Sequence, residues 1–171
     1  MTEHDLLRLI ASHEADRVEL TISTGDTNKF SEAVCAFAND LPDHRQPGYL
    51  IVGVADSGRF AGLAVTDELL RALGGLRSDG NIQPLPAITV EKVVTAQGEA
   101  AVVTVQPALL PPVRYRGRVC VRIGPRRGYA SEHEERRLVE KRVAHARTFD
   151  AEPALGSTVA DLSTSLFLNE Y

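Results

Sequence analysis

The spacing of apolar residues in the first half of the chain alternates between the helical period and the strand period. Val18, Leu20 and Ile22 recur at every second position, which predicts a half-buried strand with Glu19 on its polar face. Residues 49–54 form an unbroken apolar run, which is typical of a central strand covered on both faces. Helical spacing and capping residues predict three helices around these strands, over residues 2–14, 27–41 and 66–75.

The second half of the chain is richer in predicted strands. Ile88–Thr95 and Ala100–Val105 flank a short polar turn, a spacing that is typical of a β-hairpin. Val113–Tyr115 and Val119–Ile123 predict a second hairpin around a central glycine, and Gly124–Ala130 is predicted to be a loop. Three prolines between the two hairpins exclude a helix or a central strand in that segment.

A capping box formed by Ser131 and Glu134 predicts where the last helix begins. Val139, Val143 and Ala146 follow at helical spacing, and we expect them to form the buried face of this helix. Helices and strands mixed in this order, with several hairpins, predict an α+β fold. We expect a single domain of mixed, mostly antiparallel sheet with flanking helices.

Length and composition then set the domain organisation. Hydrophobic residues make up 43% of the 171 residues and charged residues 25%, which excludes a chain that is disordered throughout. The composition changes after residue 149, where Pro153 and Gly156 indicate a linker. We therefore predict one domain over residues 1–149. Residues 150–171 are predicted to be a linker and the start of a further C-terminal element of a longer chain.

The sequence favours a cytoplasmic protein. No apolar run is long enough to span a bilayer, and the N-terminus lacks the features of a secretory signal. Cys35 and Cys120 form neither a disulfide pattern nor a metal-binding spacing, so we expect reduced, buried thiols. The sequence also lacks the Gly-Lys-Ser/Thr ending of a nucleotide-binding P-loop, which argues against ATP binding.

Charge is distributed unevenly along the chain although the net charge is only -4. Residues 1–106 hold 8 basic and 15 acidic residues, whereas residues 107–149 hold 11 basic and 4 acidic ones. Residues 113–127 contain arginines and no acid, which favours an anion-binding face, because the guanidinium fork suits phosphate. The arginines of this strip are Arg114, Arg116, Arg118, Arg122, Arg126 and Arg127. The alternative is that they pair with the acidic first half of this chain or of a second subunit.

Five blocks of sequence occur together in one order, and together they resemble the Schlafen-type AlbA-like domain. The resemblance covers roughly residues 3–147, and this module is often described as DNA-binding. In bacteria it commonly lies at the N-terminus of ATP-binding or transcription-regulator-like proteins. The blocks are EADRVEL at 14–20, AVCAFAN at 33–39, GYLIVGVADSG at 48–58, GL at 62–63 and PVRYRGRVCVRIG at 112–124.

The resemblance also implies a candidate catalytic site. In Schlafen proteins that cleave RNA, two glutamates and an aspartate form an acidic trio, and Glu14, Glu19 and Asp56 match them in position. Clustered carboxylates can hold Mg²⁺ or Mn²⁺, which neutralises a phosphodiester and activates water. The family usually has Glu-Phe-Lys at the end of the first strand, whereas this chain has Glu-Leu-Thr at residues 19–21.

Three hypotheses for the function follow. The first is a DNA- or RNA-binding module that uses the arginine strip, needs no cofactor and regulates a larger protein. The second is a divalent-metal-dependent endoribonuclease that uses the acidic trio as metal ligands. The third is an oligomerisation or protein-interaction domain, in which the opposite charge blocks meet across the subunits of a homo-oligomer.

Overall fold

The computed structural model describes residues 1–11 and 16–145, and it confirms the predicted α+β class. The predicted end of the first helix at residues 12–14, Ala146 and the boundary at residue 150 lie outside the described residues. The elements are α1 (Glu3–Ala11), β1 (Val18–Thr21), α2 (Thr27–Asn39), β2 (Gly48–Val52), α3 (Asp67–Gly75), β3 (Ile82–Gln83), β4 (Ile88–Thr95), β5 (Gly98–Val105), β6 (Arg114–Tyr115), β7 (Cys120–Ile123), β8 (Arg126–Tyr129) and α4 (Glu132–His145).

A four-stranded sheet with the order β1-β2-β5-β4 forms the centre of the fold. The strands β1 and β2 are parallel, with Val18 beside Tyr49, and the other two pairings are antiparallel. The predicted hairpin of β4 and β5 is confirmed, and it closes between Thr95 and Gly98. Two smaller ribbons, β3-β6 and β7-β8, lie outside this sheet.

Helices cover both faces of the central sheet. On one face, Leu6 of α1 packs with Ile51 and Val102. On the other face, α2 and α3 pack against the opposite side chains of β2 and β5, with Phe30 among the buried residues. Successive residues of a strand point to opposite faces, so β2 is apolar at every position, as its unbroken apolar run predicted. No helix among the described residues has the length and apolar character needed to span a bilayer.

One buried amide connects the basic segment to this core. Asn39, at the end of α2, is 1% exposed. Its Nδ2 atom donates to the carbonyl oxygens of Val113 at 2.9 Å and Cys120 at 2.7 Å, and its Oδ1 atom accepts from the Val113 amide at 2.7 Å. A buried amide with satisfied donors and acceptor holds its partners in one geometry. Asn39 therefore fixes both β6 and β7 against α2.

The second predicted hairpin and the loop after it need correction. Tyr115 and Arg118 exchange both backbone hydrogen bonds, at 2.8 and 2.9 Å, so the predicted tight turn exists. Beyond that single bridge the flanking segments separate, because β6 pairs with β3 and β7 pairs with β8. The predicted loop from Gly124 to Ala130 is wrong, since Arg126–Tyr129 form the strand β8.

The predicted buried face of the last helix is also wrong. Val139 and Val143 of α4 are 46% and 69% exposed, whereas Leu138 is 1% exposed. Leu138 packs on Val119 and Val121 in a small separate cluster. Polar contacts also hold α4, because Lys141 donates to the Asp40 carbonyl at 3.0 Å and pairs with Asp43 at 2.8 Å. The prediction that Cys35 and Cys120 are buried is confirmed, and both are free thiols.

Candidate nucleic-acid interface

The arginine strip is divided by the fold into three environments. Three members surround the tight turn between β6 and β7, which we call the arginine turn: Arg114, Arg116 and Arg118. Two members face Glu19: Arg122, which is buried, and Arg127, which is half-buried. One member, Arg126, is exposed where β8 begins, opposite Ile123. The structure therefore does not place all six guanidinium groups on one surface.

Two exposed arginines of the arginine turn lie over tyrosine rings. The guanidinium carbon of Arg116 is 5.1 Å from the centroid of the Tyr115 ring. That of Arg118 is 3.2 Å from the centroid of the Tyr129 ring. Arg116 has φ of 46°, a left-handed conformation that tight hairpin turns require and that suits few residues other than glycine. Cation–π contact limits the motion of both side chains while leaving them exposed.

Arg114 is held by an acid instead of a ring. Its Nη2 atom is 2.7 Å from a carboxylate oxygen of Glu135, and its Nη1 atom donates to the carbonyl of Gly117 at 3.2 Å. The side chain is 41% exposed. Arg114 therefore fastens the arginine turn to α4 and contributes less free positive charge than its two neighbours.

Tyr129 is fixed at its hydroxyl group. The hydroxyl donates to Glu32 on α2 at 2.9 Å, and this bond raises the pKa of Tyr129, because a carboxylate acceptor stabilises the protonated phenol. The residue is 45% exposed. Tyr129 is therefore neutral at physiological pH and presents an oriented ring below Arg118.

Arg122 is a buried residue, contrary to its expected role in an exposed strip. It is 5% exposed, pairs with Glu19 and donates to the Val18 carbonyl at 2.9 Å. Its guanidinium carbon lies 5.4 Å from the centroid of the Phe37 ring. Arg122 therefore joins β7 to the outer edge of β1 and blocks that edge from pairing with another strand.

Arg127 completes the arrangement around Glu19. Its Nε atom lies 3.3 Å from Oε1 of Glu19, whereas Arg122 contacts Oε2. Arg127 also donates to the Lys29 carbonyl at 2.8 Å and pairs with Glu32 at 3.4 Å. The Glu19 side chain is only 13% exposed, so the predicted solvent-facing glutamate is instead enclosed by two cations.

The structure brings two members of the predicted acidic trio to one cleft. Glu19 and Asp56 both line a cleft of about 460 Å³, together with Lys29 and Arg122. Asp56 is exposed in the turn that follows β2. Glu14 lies outside the described residues.

Basic side chains share the cleft with the two described members of the acidic trio. Each carboxylate oxygen of Glu19 is engaged by a guanidinium group, so its negative charge is already compensated within the protein. Within residues 1–11 and 16–145, no three His, Cys, Asp or Glu side chains converge closely enough to hold a metal ion. The part of the site that the structure describes is therefore an ion-pair network.

Three residues that the sequence analysis missed organise this surface. Glu32 binds both Tyr129 and Arg127, Asn39 fixes β6 and β7, and Lys29 lines the cleft. Glu32 lies two residues from both Phe30 and Val34, off the apolar stripe of α2, where a polar residue is expected on the solvent face. Only the fold shows that Glu32 faces arginines from a distant part of the chain.

Comparison with known proteins gives one family and two similar structures. The family model described as "Schlafen, AlbA_2" matches residues 14–130, and no curated protein matches the chain. The N-terminal domain of a protein from Nitrosomonas europaea, described as related to the ATP-dependent DNA helicase RecG, is 24% identical with a TM-score of 0.50. The match covers 63% of this chain and 74% of that one.

The second similar structure is the DIP2311 protein from Corynebacterium diphtheriae, which is 16% identical with a TM-score of 0.53. The match covers 96% of this chain but 37% of that one, so the chain spans little more than a third of its length. At these identities both structures show a shared fold.

Proposed function

Because the chain belongs to the Schlafen, AlbA_2 family, we propose that it is a nucleic-acid-binding module that contacts DNA or RNA through exposed arginines. The observation that carries the proposal is the exposure of Arg116, Arg118 and Arg126 in a segment without acidic residues. Guanidinium groups bind phosphate oxygens in a paired geometry, and such contacts supply most non-specific affinity for nucleic acid.

The β7-β8 ribbon gives these arginines a suitable spacing. Arg118 precedes β7, and Arg126 lies opposite Ile123 at the far end of that strand. Five residue steps lead from Arg118 to Ile123, which is about 17 Å for an extended chain. Phosphates of one duplex strand follow one another about every 3.4 Å along the helix axis, so the two ends would meet different phosphates. The ribbon is therefore long enough for both ends to contact one nucleic-acid backbone.

We also propose that the module acts as the N-terminal, regulatory part of a longer protein. The supporting observation is the likeness of its fold to the N-terminal domain of the RecG-related protein. The net charge of -4 opposes indiscriminate binding, so we expect affinity to depend on the local arginine surface.

The first prediction concerns the variant in which Arg116→Ala and Arg118→Ala are combined. Affinity should fall by about tenfold or more at low salt, by a similar factor for every sequence, because phosphate contacts carry no sequence information. The slope of log affinity against log salt should decrease by about 1.4 to 1.8, the loss expected for two phosphate contacts. Fluorescence anisotropy with labelled duplex DNA and RNA measures both quantities.

The matched control is Arg71→Ala. Arg71 is an exposed arginine of α3, and α3 packs against β4 and β5 instead of the β7-β8 ribbon. We expect the Arg71→Ala variant to bind nucleic acid with the same affinity and the same salt dependence as the wild type. Unchanged affinity in the double variant, or an equal loss in Arg71→Ala, would remove the arginine turn from the proposal.

The metal-dependent endoribonuclease is the second candidate function. The observation that favours it is the shared cleft of Glu19 and Asp56. The engagement of Glu19 by Arg122 and Arg127 favours the binding module instead. Cleavage of RNA that requires Mn²⁺ or Mg²⁺ and is lost in Glu19→Gln would support the enzyme.

The oligomerisation domain is less well supported. Among the described residues, Arg122 and Arg127 pair with acids in the first half of the same chain, Glu19 and Glu32. Their charges therefore need no second subunit. A salt-sensitive homo-oligomer without affinity for nucleic acid would support this function over the other two.

A further inference from the structure

We propose that the stacked pair of Arg118 and Tyr129 binds an unpaired nucleobase, so that the module prefers single-stranded nucleic acid. This inference rests on the proposed function and adds that the nucleic acid is single-stranded. It assigns a position that binds a base, whereas the proposed function needs only contacts between the arginine turn and phosphate groups.

The pair forms a platform that is oriented before any ligand binds. The Arg118 guanidinium carbon lies 3.2 Å from the Tyr129 ring centroid, which is direct contact. Tyr129 is held by its hydrogen bond to Glu32 and by the pairing of its backbone with Cys120. Because these contacts restrain the ring, little conformational entropy is lost when a base stacks there.

The platform remains accessible from solvent. Arg118 is exposed. Tyr129 is still 45% exposed although the Arg118 guanidinium covers part of its ring. Aromatic rings and guanidinium planes are the two protein surfaces on which splayed-out bases stack. Among the tyrosines of the described residues, Tyr129 is the better candidate for stacking on a base, because Tyr115 is buried and Tyr49 packs on the central sheet.

The charges around the platform suit a nucleotide. Arg116 is exposed at the same turn and is available to a phosphate next to the stacked base. The nearest acid on α2, Glu32, is engaged at Oε1 by Tyr129 and at Oε2 by Arg127. Glu135 of α4 is paired with Arg114. Both carboxylates are thus compensated, which reduces their repulsion of phosphate.

An unpaired base is required for geometric reasons. In a duplex both faces of an internal base are covered by its neighbours, so no π-face is open to a side chain. In a single strand a base can turn a face to a side chain, because it gives up only the weak stacking on its neighbours in the same strand. Every base has such a face, so the platform would bind without a strong sequence preference.

The test compares three labelled ligands of equal length: an oligothymidine strand, a strand of abasic sites and a duplex. The oligothymidine and abasic strands carry the same phosphates, so a difference between them reports contact with bases. We expect the wild type to bind oligothymidine about tenfold more tightly than the abasic strand, as one stacked base contributes. The duplex should bind more weakly than oligothymidine at the same salt.

Three variants test whether the preference for oligothymidine over the abasic strand arises at Arg118 and Tyr129. Tyr129→Phe keeps the ring and its backbone pairing with Cys120 but loses the bond to Glu32, so it should keep most of the preference for oligothymidine. Tyr129→Leu should abolish the preference. Arg118→Lys keeps the charge but removes the planar guanidinium, so it should lose the preference while keeping the salt dependence of binding. Arg118 is exposed, so this variant leaves the core intact and tests the platform even if Tyr129→Leu fails to fold.

The outcomes separate this inference from the proposed function. Equal wild-type affinity for oligothymidine and the abasic strand would overturn the base platform and leave phosphate binding intact. A preference that survives in both Arg118→Lys and Tyr129→Leu would also overturn it, because the bases would then stack elsewhere. No affinity for any of the three ligands would overturn the proposed function and the platform with it.

Discussion

Glu19 is enclosed between two guanidinium groups although it lies on the polar face of an edge strand. With Glu19 13% exposed and Arg122 6% exposed, this pair is close to fully buried. Both partners have given up most of their hydration, so each depends on the other for compensation. The residue that sequence similarity marks as catalytic is therefore a structural link between β1 and β7 in the described part of the chain.

This role predicts a stability defect in Glu19→Gln. Removing one partner of a buried ion pair leaves an uncompensated charge, so the free energy of unfolding should fall by about 3 to 5 kcal/mol. Urea unfolding followed by circular dichroism measures this. The control is Glu135→Gln, which removes the half-exposed partner of Arg114 and should cost at most about 1 kcal/mol. Similar small losses in both variants would show that Glu19 is not structural.

At the residue scale the sequence predicted one exposed strip of six arginines, whereas the structure divides them into exposed and enclosed residues. Arg122 and Arg127 are as basic as Arg116 and Arg118, and no local pattern distinguishes a buried arginine from an exposed one. The distinction depends on Glu19 and Glu32, about a hundred residues away in sequence. Long-range charge pairing of this kind is fixed by the fold.

At the scale of the elements, prediction succeeded where apolar spacing was clear. The helices α2 and α3, the strand β2 and the β4-β5 hairpin have regular apolar patterns and were found. The strand β8 was missed because its sequence, Arg-Arg-Gly-Tyr, has no apolar alternation. One face of β8 binds Glu32 through Arg127 and Tyr129, so polar contacts replace apolar burial there.

The capping box of α4 makes a pH-dependent prediction. The Glu134 carboxylate accepts from the Ser131 amide at 2.7 Å and from its hydroxyl at 2.8 Å, and these bonds lower the pKa of Glu134. Stability from a lowered carboxyl pKa is present above the unfolded-state value and is lost as pH falls through the folded-state value. Glu134→Ala should therefore cost roughly 1 kcal/mol at pH 7 and progressively less below about pH 4.5.

Thermal unfolding at a series of pH values measures that cost. The control is Glu132→Ala in the same turn of α4, where the side chain is 93% exposed and its contact with Arg136 is 3.7 Å long. We expect a small effect from Glu132→Ala at every pH. A defect in Glu134→Ala that is unchanged from pH 7 to pH 3 would contradict the capping role of the carboxylate.

At the scale of the whole molecule, the basic segment is divided between arginines that pair with acids and arginines that remain exposed. Part of the basic segment neutralises acids of the first half, and this holds the β7-β8 ribbon to β1 and α2. The remaining exposed arginines stand at the two ends of that ribbon. Charge counting along the sequence predicted an anion-binding face of six arginines, and the fold leaves fewer of them exposed.

The most direct test of the account incubates the purified protein with labelled structured RNA and duplex DNA, with and without Mn²⁺. Mobility shift and strand integrity are recorded together at low and moderate salt. The account predicts a shift that weakens with salt and strands that stay intact with the metal present. Metal-dependent cleavage that disappears in a folded Glu19→Gln variant would contradict it, and so would the absence of any shift at low salt.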